Sequence, residues 1–191
     1  MNGTASGPGG LNTLKIQDTE LSGVKLIHYD QDEDCRGEKE ILLNTSTLEE
    51  CGLAFCVKEQ RLYRIPKAHT LFGVHFQADG CAQDKIITLI AGRGMDYAVD
   101  LMQDSPTYKK WISFGLSAEE PYAVYIPQGY GHAFYSLEDN TVQLFTLNAH
   151  SLLEGIINYL DPEIGLRLPG SVECIADKDK HAPFLSSLVP F

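Results

Sequence analysis

The most regular part of the chain, residues 71–148, alternates short apolar runs with turn-forming Gly, Asp, Ser and Pro. Runs of this length, separated by such turns, are typical of antiparallel strands in a sandwich or a small barrel. The predicted strands are Leu71–Gln77, Lys85–Ala91, Met95–Met102, Lys110–Leu116, Ala123–Ile126, His132–Leu137 and Thr141–Asn148. We therefore expect an all-β fold in this region.

The residues before this region are less regular. An acidic turn is expected at residues 30–34, and further short strands at Val24–Tyr29, Ile41–Leu43, Ala54–Val57 and Tyr63–Ile65. Thr45–Cys51 predicts one short helix, because Ser46 and Thr47 are residues that cap helix starts. Two acidic residues, Glu49 and Glu50, are placed where they suit its positive end.

The two ends of the chain carry weaker patterns. Leu152–Leu160 predicts a short helix ahead of Asp161, and the chain is irregular after Leu166. The apolar tail Ala182–Phe191 should dock on the protein's own core or on a neighbouring subunit. Residues 1–13 predict a flexible leader, so we assign one domain to residues 14–191.

Composition narrows the class of protein. A chain of 191 residues with 43% hydrophobic residues fits one domain with a sizeable core. The net charge of −11 argues against nucleic acid or an anionic membrane as the main partner, although a local cluster of cations can still bind an anionic small molecule. We find no secretory signal and no membrane span, and expect a soluble, cytoplasmic protein.

The cysteines agree with that location. There are five, an odd number, and no CxxC motif occurs. Single reduced thiols in a cytoplasmic protein are therefore favoured over a disulfide framework.

Two basic side chains stand out against this background. His75 lies in the strand Leu71–Gln77, and Lys85 opens the next predicted strand. A histidine and a lysine inside an apolar wall can remove a proton from a carbon acid and stabilise the resulting charge. The alternatives are a hydrogen-bonded core histidine and a solvated lysine at a strand end.

A second motif, PxGxxH, spans Pro127–His132. It is the second half-motif of the cupin barrels, whose first half-motif offers HxH in an earlier strand. That strand here reads His75-Phe76-Gln77, so one of the two histidines is absent. Metal sites generally need three or four protein ligands, so a metal-free cupin is favoured over a metal-dependent cupin enzyme.

Six segments taken together resemble the dTDP-4-dehydrorhamnose 3,5-epimerase family. They read FGVHFQ, QDKI, MDYAVDLMQDSPTYKKW, LSAEEPYAVYIPQGYGHAF, DPEIGL and ADKDKHAP, and the resemblance runs from about Val24 to Leu185. It implies an all-β, cupin-type jelly-roll barrel with short helices and N- and C-terminal extensions. It also implies a homodimer without metal or organic cofactor. Such enzymes remove and replace protons next to the ketone of 4-keto-6-deoxy nucleotide sugars.

The resemblance assigns roles to four residues for catalysis. It makes His75 the base and Asp179 the carboxylate that orients it, since a carboxylate on the far ring nitrogen fixes the tautomer. It makes Lys85 a donor to the ketone oxygen, and it places His132 in the site with Asp96 beside it. For substrate binding it implies the set Arg36, Gln60, Glu154 and His150.

Three departures from the family pattern bear on function. Phe72 stands where the family has an arginine, and Phe145 stands where it has the proton-donating tyrosine. His150 stands near the position of a tyrosine that stacks on the base. A water molecule or another side chain, such as Tyr63, Tyr130 or Tyr135, would then have to return the proton.

The sequence therefore predicts an epimerase of a 4-keto-6-deoxy nucleotide sugar. It leaves open an epimerase that acts at one carbon only on a different nucleotide sugar. It also leaves open a weakened or non-catalytic cupin that binds nucleotide sugars.

Overall fold

We describe the protein from a computed structural model, which covers residues 4–6, 13–29, 31–77, 83–120, 122–150 and 154–188. The strands are β1 Thr4–Ser6, β2 Thr13–Asp18, β3 Lys25–His28, β4 Gln31–Asp34, β5 Gly37–Glu40, β6 Glu59–Ile65, β7 Thr70–Gln77, β8 Lys85–Ala91, β9 Arg93–Asp100, β10 Trp111–Ser117, β11 Tyr122–Ile126, β12 Tyr130–Ser136, β13 Thr141–Leu147, β14 Glu154–Ile157 and β15 Cys174–Ile175. The helices are α1 Thr45–Glu50, α2 Asp177–Lys180 and a 3₁₀ turn at Leu185–Ser187.

Two sheets form the body of the molecule. The first has the strand order β1-β2-β3-β11-β8-β13-β6, and the second has β10-β9-β12-β7-β14 with β15 added beside β7. The neighbouring strands run antiparallel except for β15, which is parallel to β7. Strands β4 and β5 form a separate hairpin. This architecture confirms the predicted all-β, cupin-type jelly roll with short helices.

Side-chain alternation divides the apolar residues into three clusters. On β9, Ala98 packs into the cluster between the two sheets, whereas Tyr97 and Val99 pack on the outer side of the second sheet. Helix α1 covers the outer side of the first sheet, where its Leu48 is fully buried. The period of two along each strand therefore gives the sheets two apolar faces, as a layered β-protein needs.

Most strands from residue 71 to residue 148 were predicted to within two residues, but four predictions were wrong. Residues 154–157 form strand β14 and not a helix, because they pair with β7; Leu152 lies outside the described residues. Residues 31–34 form strand β4 and not a turn. The runs 41–43 and 54–57 form no strand.

The reason for the missing strands is that burial does not require pairing. Leu53 and Phe55 are buried against the outer side of the first sheet without joining a ladder. Helix α1 was placed correctly, but its cap is Asn44, whose side-chain oxygen accepts a hydrogen bond from Thr47 N at 3.2 Å.

Both chain ends carry packed segments where they are described. In the predicted leader, β1 pairs with β2, and residues 1–3 and 7–12 lie outside the described residues. In the tail, Leu185 is buried in the outer cluster of the second sheet and Leu188 packs against it. The tail therefore docks on the protein's own core as far as residue 188.

No helix among the described residues is long and apolar enough to cross a membrane. The four described cysteines are free thiols, and Cys81 lies outside the described residues.

Candidate active site

A cavity of about 260 Å³ opens between the two sheets. Strands β6, β8 and β13 of the first sheet form one wall, and β7, β12 and β14 of the second sheet form the other. The turn at residues 176–179, which includes the start of α2, completes the lining. Three of the four predicted catalytic residues thus come from sheet walls, and Asp179 comes from the C-terminal segment.

A β-bulge on β7 points His75 into this cavity. His132 pairs with His75, and Phe134 pairs with Phe72, so three residue steps on β7 face two on β12. The extra residue resets the alternation. As a result Phe72 and His75 both line the cavity, while Val74 packs on the outer side of the sheet.

The imidazole of His75 lies between two carboxylates. Its Nε2 is 2.9 Å from Asp179 Oδ1, and its Nδ1 is 3.2 Å from Glu154 Oε1. The other oxygen of Asp179 accepts a hydrogen bond from Gly73 N at 3.0 Å, and this side chain is only 2% exposed. Glu154 is also bound by Lys178, at 3.1 Å. The ring orientation of His75 is therefore fixed from both sides.

These contacts shift the pKa values in opposite directions. Burial lowers the pKa of His75, but the hydrogen bonds with Asp179 and Glu154 outweigh burial and raise it above its usual value. Burial raises the pKa of Asp179, and the hydrogen bonds from His75 and Gly73 reverse this and lower it. The hydrogen bond with His75 lowers the pKa of Glu154 to about 2. The site thus stabilises a protonated imidazole, the state that follows proton abstraction.

Lys85 lies buried at the start of β8, with 6% of its surface exposed. Burial lowers its pKa to about 8, although the negative charges of Glu154 and Asp96 oppose this effect. The alternative of a solvated lysine at a strand end is therefore wrong. A buried ammonium group beside a cavity can stabilise an oxyanion in that cavity.

His132 and Asp96 form a second buried pair behind the cavity. His132 Nε2 lies 2.7 Å from Asp96 Oδ2, which also accepts a hydrogen bond from Gln143 Nε2 at 3.3 Å. Burial lowers the pKa of His132 despite the neighbouring carboxylate. Burial also disfavours the charged form of Asp96 and so raises its pKa. His132 lines the cavity as a neutral ring, in a T-shaped contact with Phe145 at a centroid distance of 5.3 Å.

The two phenylalanines that depart from the family pattern both line the cavity. Tyr63 packs between them, with its ring centroid 5.7 Å from that of Phe72 and 5.0 Å from that of Phe145. The hydroxyls of Tyr130 and Tyr135 instead donate to the carbonyls of Ser22 and Ser171, at 2.5 and 2.8 Å. Of the three tyrosines considered from sequence, Tyr63 alone lines the cavity.

Of the four predicted substrate-binding residues, Glu154 lines the cavity and three do not. Arg36 is exposed on the β4–β5 hairpin and pairs with Asp34 at 2.5 Å. Gln60 is exposed on the outer face of β6 and donates to Thr146 Oγ1 at 3.1 Å. His150 is exposed and its Nδ1 lies 3.0 Å from Glu59 Oε2.

Sequence reasoning missed several polar groups in the lining. Arg61, paired with Glu59, projects from β6, and Lys178 projects from the start of α2. The alternation of β6 is the signal that could have found Arg61, because its odd-numbered residues face inward and Gln60 faces outward. Gln83 and Gln143 were missed as well.

The described residues contain no cluster of three or more His, Cys, Asp or Glu side chains arranged to hold a metal ion.

A cupin-type jelly roll whose cavity combines a histidine–aspartate pair with a buried lysine has the architecture of a class of nucleotide-sugar epimerases. Comparison with known proteins agrees. The chain belongs to the dTDP-4-dehydrorhamnose 3,5-epimerase family, whose family model matches residues 18–187.

Individual relatives cover most of the chain. The dTDP-4-dehydrorhamnose 3,5-epimerase of Sinorhizobium fredii is 29% identical over 181 residues, which are 93% of each chain. A dTDP-4-dehydro-6-deoxyglucose 3-epimerase of a Streptomyces species is 33% identical over 120 residues, which are 61% of each chain. The crystal structure of dTDP-4-dehydrorhamnose 3,5-epimerase from Bacillus anthracis, with TDP and PPi bound, matches at a TM-score of 0.87 and 28% identity, over 90% of this chain and 99% of that one.

Proposed function

We propose that this protein epimerises a 4-keto-6-deoxy nucleotide sugar by removing and replacing a proton next to the ketone. The observation that carries the proposal is the His75–Asp179 pair, with its 2.9 Å contact, inside a cavity that also holds the buried Lys85. Enolate formation requires a base that removes the proton and a cation that stabilises the charge on the ketone oxygen. Here His75, held by Asp179, is the base, and the ammonium group of Lys85 is the cation.

His75 acts as the base in this mechanism. Asp179 holds its Nε2, so Nδ1 is the nitrogen that meets the substrate. Glu154 occupies Nδ1 in the unliganded site, at 3.2 Å. We therefore infer that a bound sugar takes the place of this contact, and that Glu154, still bound by Lys178, turns to a substrate hydroxyl.

Lys85 stabilises the enolate oxygen. It supplies charge, because a pKa of about 8 leaves it largely protonated at neutral pH. His132 lines the cavity with its Nε2 held by Asp96 at 2.7 Å. Because a neutral imidazole has a single N–H and His132 directs it to that carboxylate, Lys85 is the donor to the oxyanion.

Charge around the cavity supports an anionic substrate. Arg61, Lys85 and Lys178 all line it, although the whole chain carries a net charge of −11. A local cluster of cations against an acidic background suits a nucleotide diphosphate. Arg36, Gln60 and His150 do not line the cavity of the single chain, and they stay predictions for substrate binding.

We also infer a homodimer and a cytoplasmic location. Support for the dimer comes from an exposed apolar strip on the outer face of the first sheet, where Leu62 on β6 and Ile90 on β8 are 47% and 43% exposed. Free thiols at the described cysteines support a reducing compartment. Light scattering coupled to size-exclusion chromatography measures the oligomeric state directly.

The test of the proposed function is proton exchange. The protein is incubated in D₂O with dTDP-4-dehydro-6-deoxyglucose and with other 4-keto-6-deoxy nucleotide sugars, and NMR follows the C3 and C5 protons. Deuterium at both carbons indicates a 3,5-epimerase, and deuterium at C3 alone indicates the one-carbon reaction. Saturable binding without exchange above background would reject the enzyme and support the non-catalytic alternative.

The pH dependence of kcat/KM should be bell-shaped. Activity should rise as His75 loses its proton, at a pKa above its usual value, and should fall as Lys85 loses its proton near pH 8. Glu154→Gln removes a negative charge that raises both pKa values, so both limbs of the profile should move to lower pH. The matched control is Glu119→Gln on the exposed surface, which should leave the profile unchanged. An unshifted profile in Glu154→Gln would contradict the assignment.

A further inference from the structure

We propose that Tyr63 is the general acid that returns the proton to the sugar on the face opposite His75. This inference rests on the proposed function. It supplies the proton donor that this chain lacks, because Phe145 stands where the family has a tyrosine. Four features of the cavity lead to it: the wall from which Tyr63 projects, the packing of its ring, the charges beside its hydroxyl, and the state of the competing donors.

Tyr63 and His75 project into one cavity from different walls. Tyr63 lies on β6 of the first sheet, and His75 lies on β7 of the second sheet. A sugar ring held between the two sheets would therefore present one face to His75 and the other to Tyr63. Inversion at a carbon needs this arrangement, because the proton must leave from one face and return to the other.

The ring of Tyr63 is held in place by aromatic neighbours. It is T-shaped to Phe72, with 5.7 Å between centroids, and tilted against Phe145, with 5.0 Å between centroids. The two residues that replace the family's arginine and tyrosine thus form the slot for a different tyrosine. Tyr63 and Phe145 stand on adjacent strands, since β6 pairs with β13. The hydroxyl that the family tyrosine would supply at position 145 is therefore supplied by Tyr63 on the neighbouring strand.

Positive charge surrounds the phenol. The pKa of Arg61 is raised first by its hydrogen bond with Glu59, and the contact with Tyr63 raises it further. The pKa of Lys178 is raised first by its hydrogen bond with Glu154, and the charge of a Tyr63 phenolate adds to this. Two cations can accommodate the negative charge that a phenol acquires when it releases its proton.

The other proton donors in the cavity are less suited to this step. His132 is neutral, because burial lowers its pKa. Lys178 is bound to Glu154 at 3.1 Å, and this contact raises its pKa, so Lys178 holds its proton. Lys85 is needed at the enolate oxygen. Tyr130 and Tyr135 are excluded because their hydroxyls are bound to backbone carbonyls elsewhere.

The proposed step balances without any added reagent. His75 takes the proton, the C–H bond electrons form the C=C bond of the enolate, and the carbonyl π electrons move to oxygen. The enolate then reforms the ketone as the carbon takes a proton from the Tyr63 hydroxyl on the other face. The Tyr63 phenolate regains a proton from solvent, which its partly exposed position allows. His75 loses its proton to solvent, so no net charge is transferred.

The test separates proton removal from proton return. Tyr63→Phe is incubated with dTDP-4-dehydro-6-deoxyglucose in D₂O, and NMR measures deuterium uptake and inversion at the same carbon. We expect uptake with retained configuration to stay within about tenfold of wild type, since His75 is intact, and inversion to fall by about 10²–10⁴. In Tyr63→Phe/Phe145→Tyr, a hydroxyl on the adjacent strand should restore a measurable part of the inversion.

Tyr135→Phe is the matched control, since it removes a hydroxyl bound to Ser171 outside the cavity. It should alter neither reading, and thermal unfolding confirms that each variant is folded. Inversion at the wild-type rate in Tyr63→Phe would overturn the assignment of Tyr63 but not the proposed function. A parallel loss of uptake and inversion would also overturn that assignment, and would indicate a role in binding. Absence of uptake in the wild-type protein would instead reject the proposed function.

Discussion

His75→Asn should lower kcat for epimerisation and the rate of α-deuterium uptake together, each by about 10²–10⁴. Asparagine keeps a polar group near Asp179 but has no basic nitrogen, so no enolate forms. NMR in D₂O measures both rates in one sample. Asp179→Asn should lower both rates by a smaller factor. The double variant should be little slower than His75→Asn alone, because the effects of residues that act as a unit are not additive.

The chain offers a matched control for this substitution. His69 also pairs with a carboxylate, Glu173 at 3.2 Å, but it lies outside the cavity. Its φ of 59° is a conformation that asparagine adopts readily, so His69→Asn should fold normally. This variant should retain wild-type exchange. Deuterium uptake at a near wild-type rate in His75→Asn would show that another group removes the proton.

Lys85→Met should change activity and stability in opposite directions. We expect kcat to fall by about 10²–10³, the usual effect of removing one oxyanion donor. Burial lowers the pKa of Lys85 to about 8, so at pH 7 the folded protein carries a charge that the unfolded chain solvates better. Replacing the ammonium group with an apolar group of similar length should therefore raise the free energy of unfolding at pH 7, by on the order of 2–3 kcal/mol.

The stability gain has a definite pH dependence. The pKa of Lys85 is lower in the folded protein than in the unfolded chain. Its charge therefore lowers the free energy of unfolding at neutral pH, and this destabilisation disappears as the pH rises through the unfolded-state pKa. Denaturation at pH 7 and at pH 11 measures the difference. The control is Lys58→Met, at an exposed position. A Lys85→Met variant with unchanged kcat would remove Lys85 from the mechanism.

Much of the fold follows from local pattern. The strands from β7 to β13 were predictable because each combines apolar residues with a turn at both ends. β14 was not, because Glu154–Ile157 lies in an apolar run that suits a helix equally well, and only its pairing with β7 decides. The acidic hairpin β4–β5 lacks an apolar face, so nothing in its composition distinguishes it from a turn.

The site was less predictable from pattern than from resemblance. The contact between His75 and Asp179 joins residues that are 104 positions apart, and a DKDK segment by itself gives no sign of burial. The bulge that points both Phe72 and His75 inward is also invisible in the sequence, because it depends on the register between β7 and β12. Likewise, Gln60 was chosen from the resemblance, and Arg61 was missed because the sequence did not show which residues of β6 face inward.

The bond from Gly73 N to Asp179 Oδ2 has a consequence for how such a site can be altered. The carboxylate that supports the base is anchored by backbone and by the C-terminal segment, not by any side chain of the opposing wall. The base His75 therefore stands on one sheet, while Lys85, Tyr63, Phe145 and Arg61 stand on the other. The base and the proton donor can therefore be changed separately. Substitutions on β6 and β13 could change the sugar that is bound, or the carbon that inverts, while His75 and Asp179 stay in place.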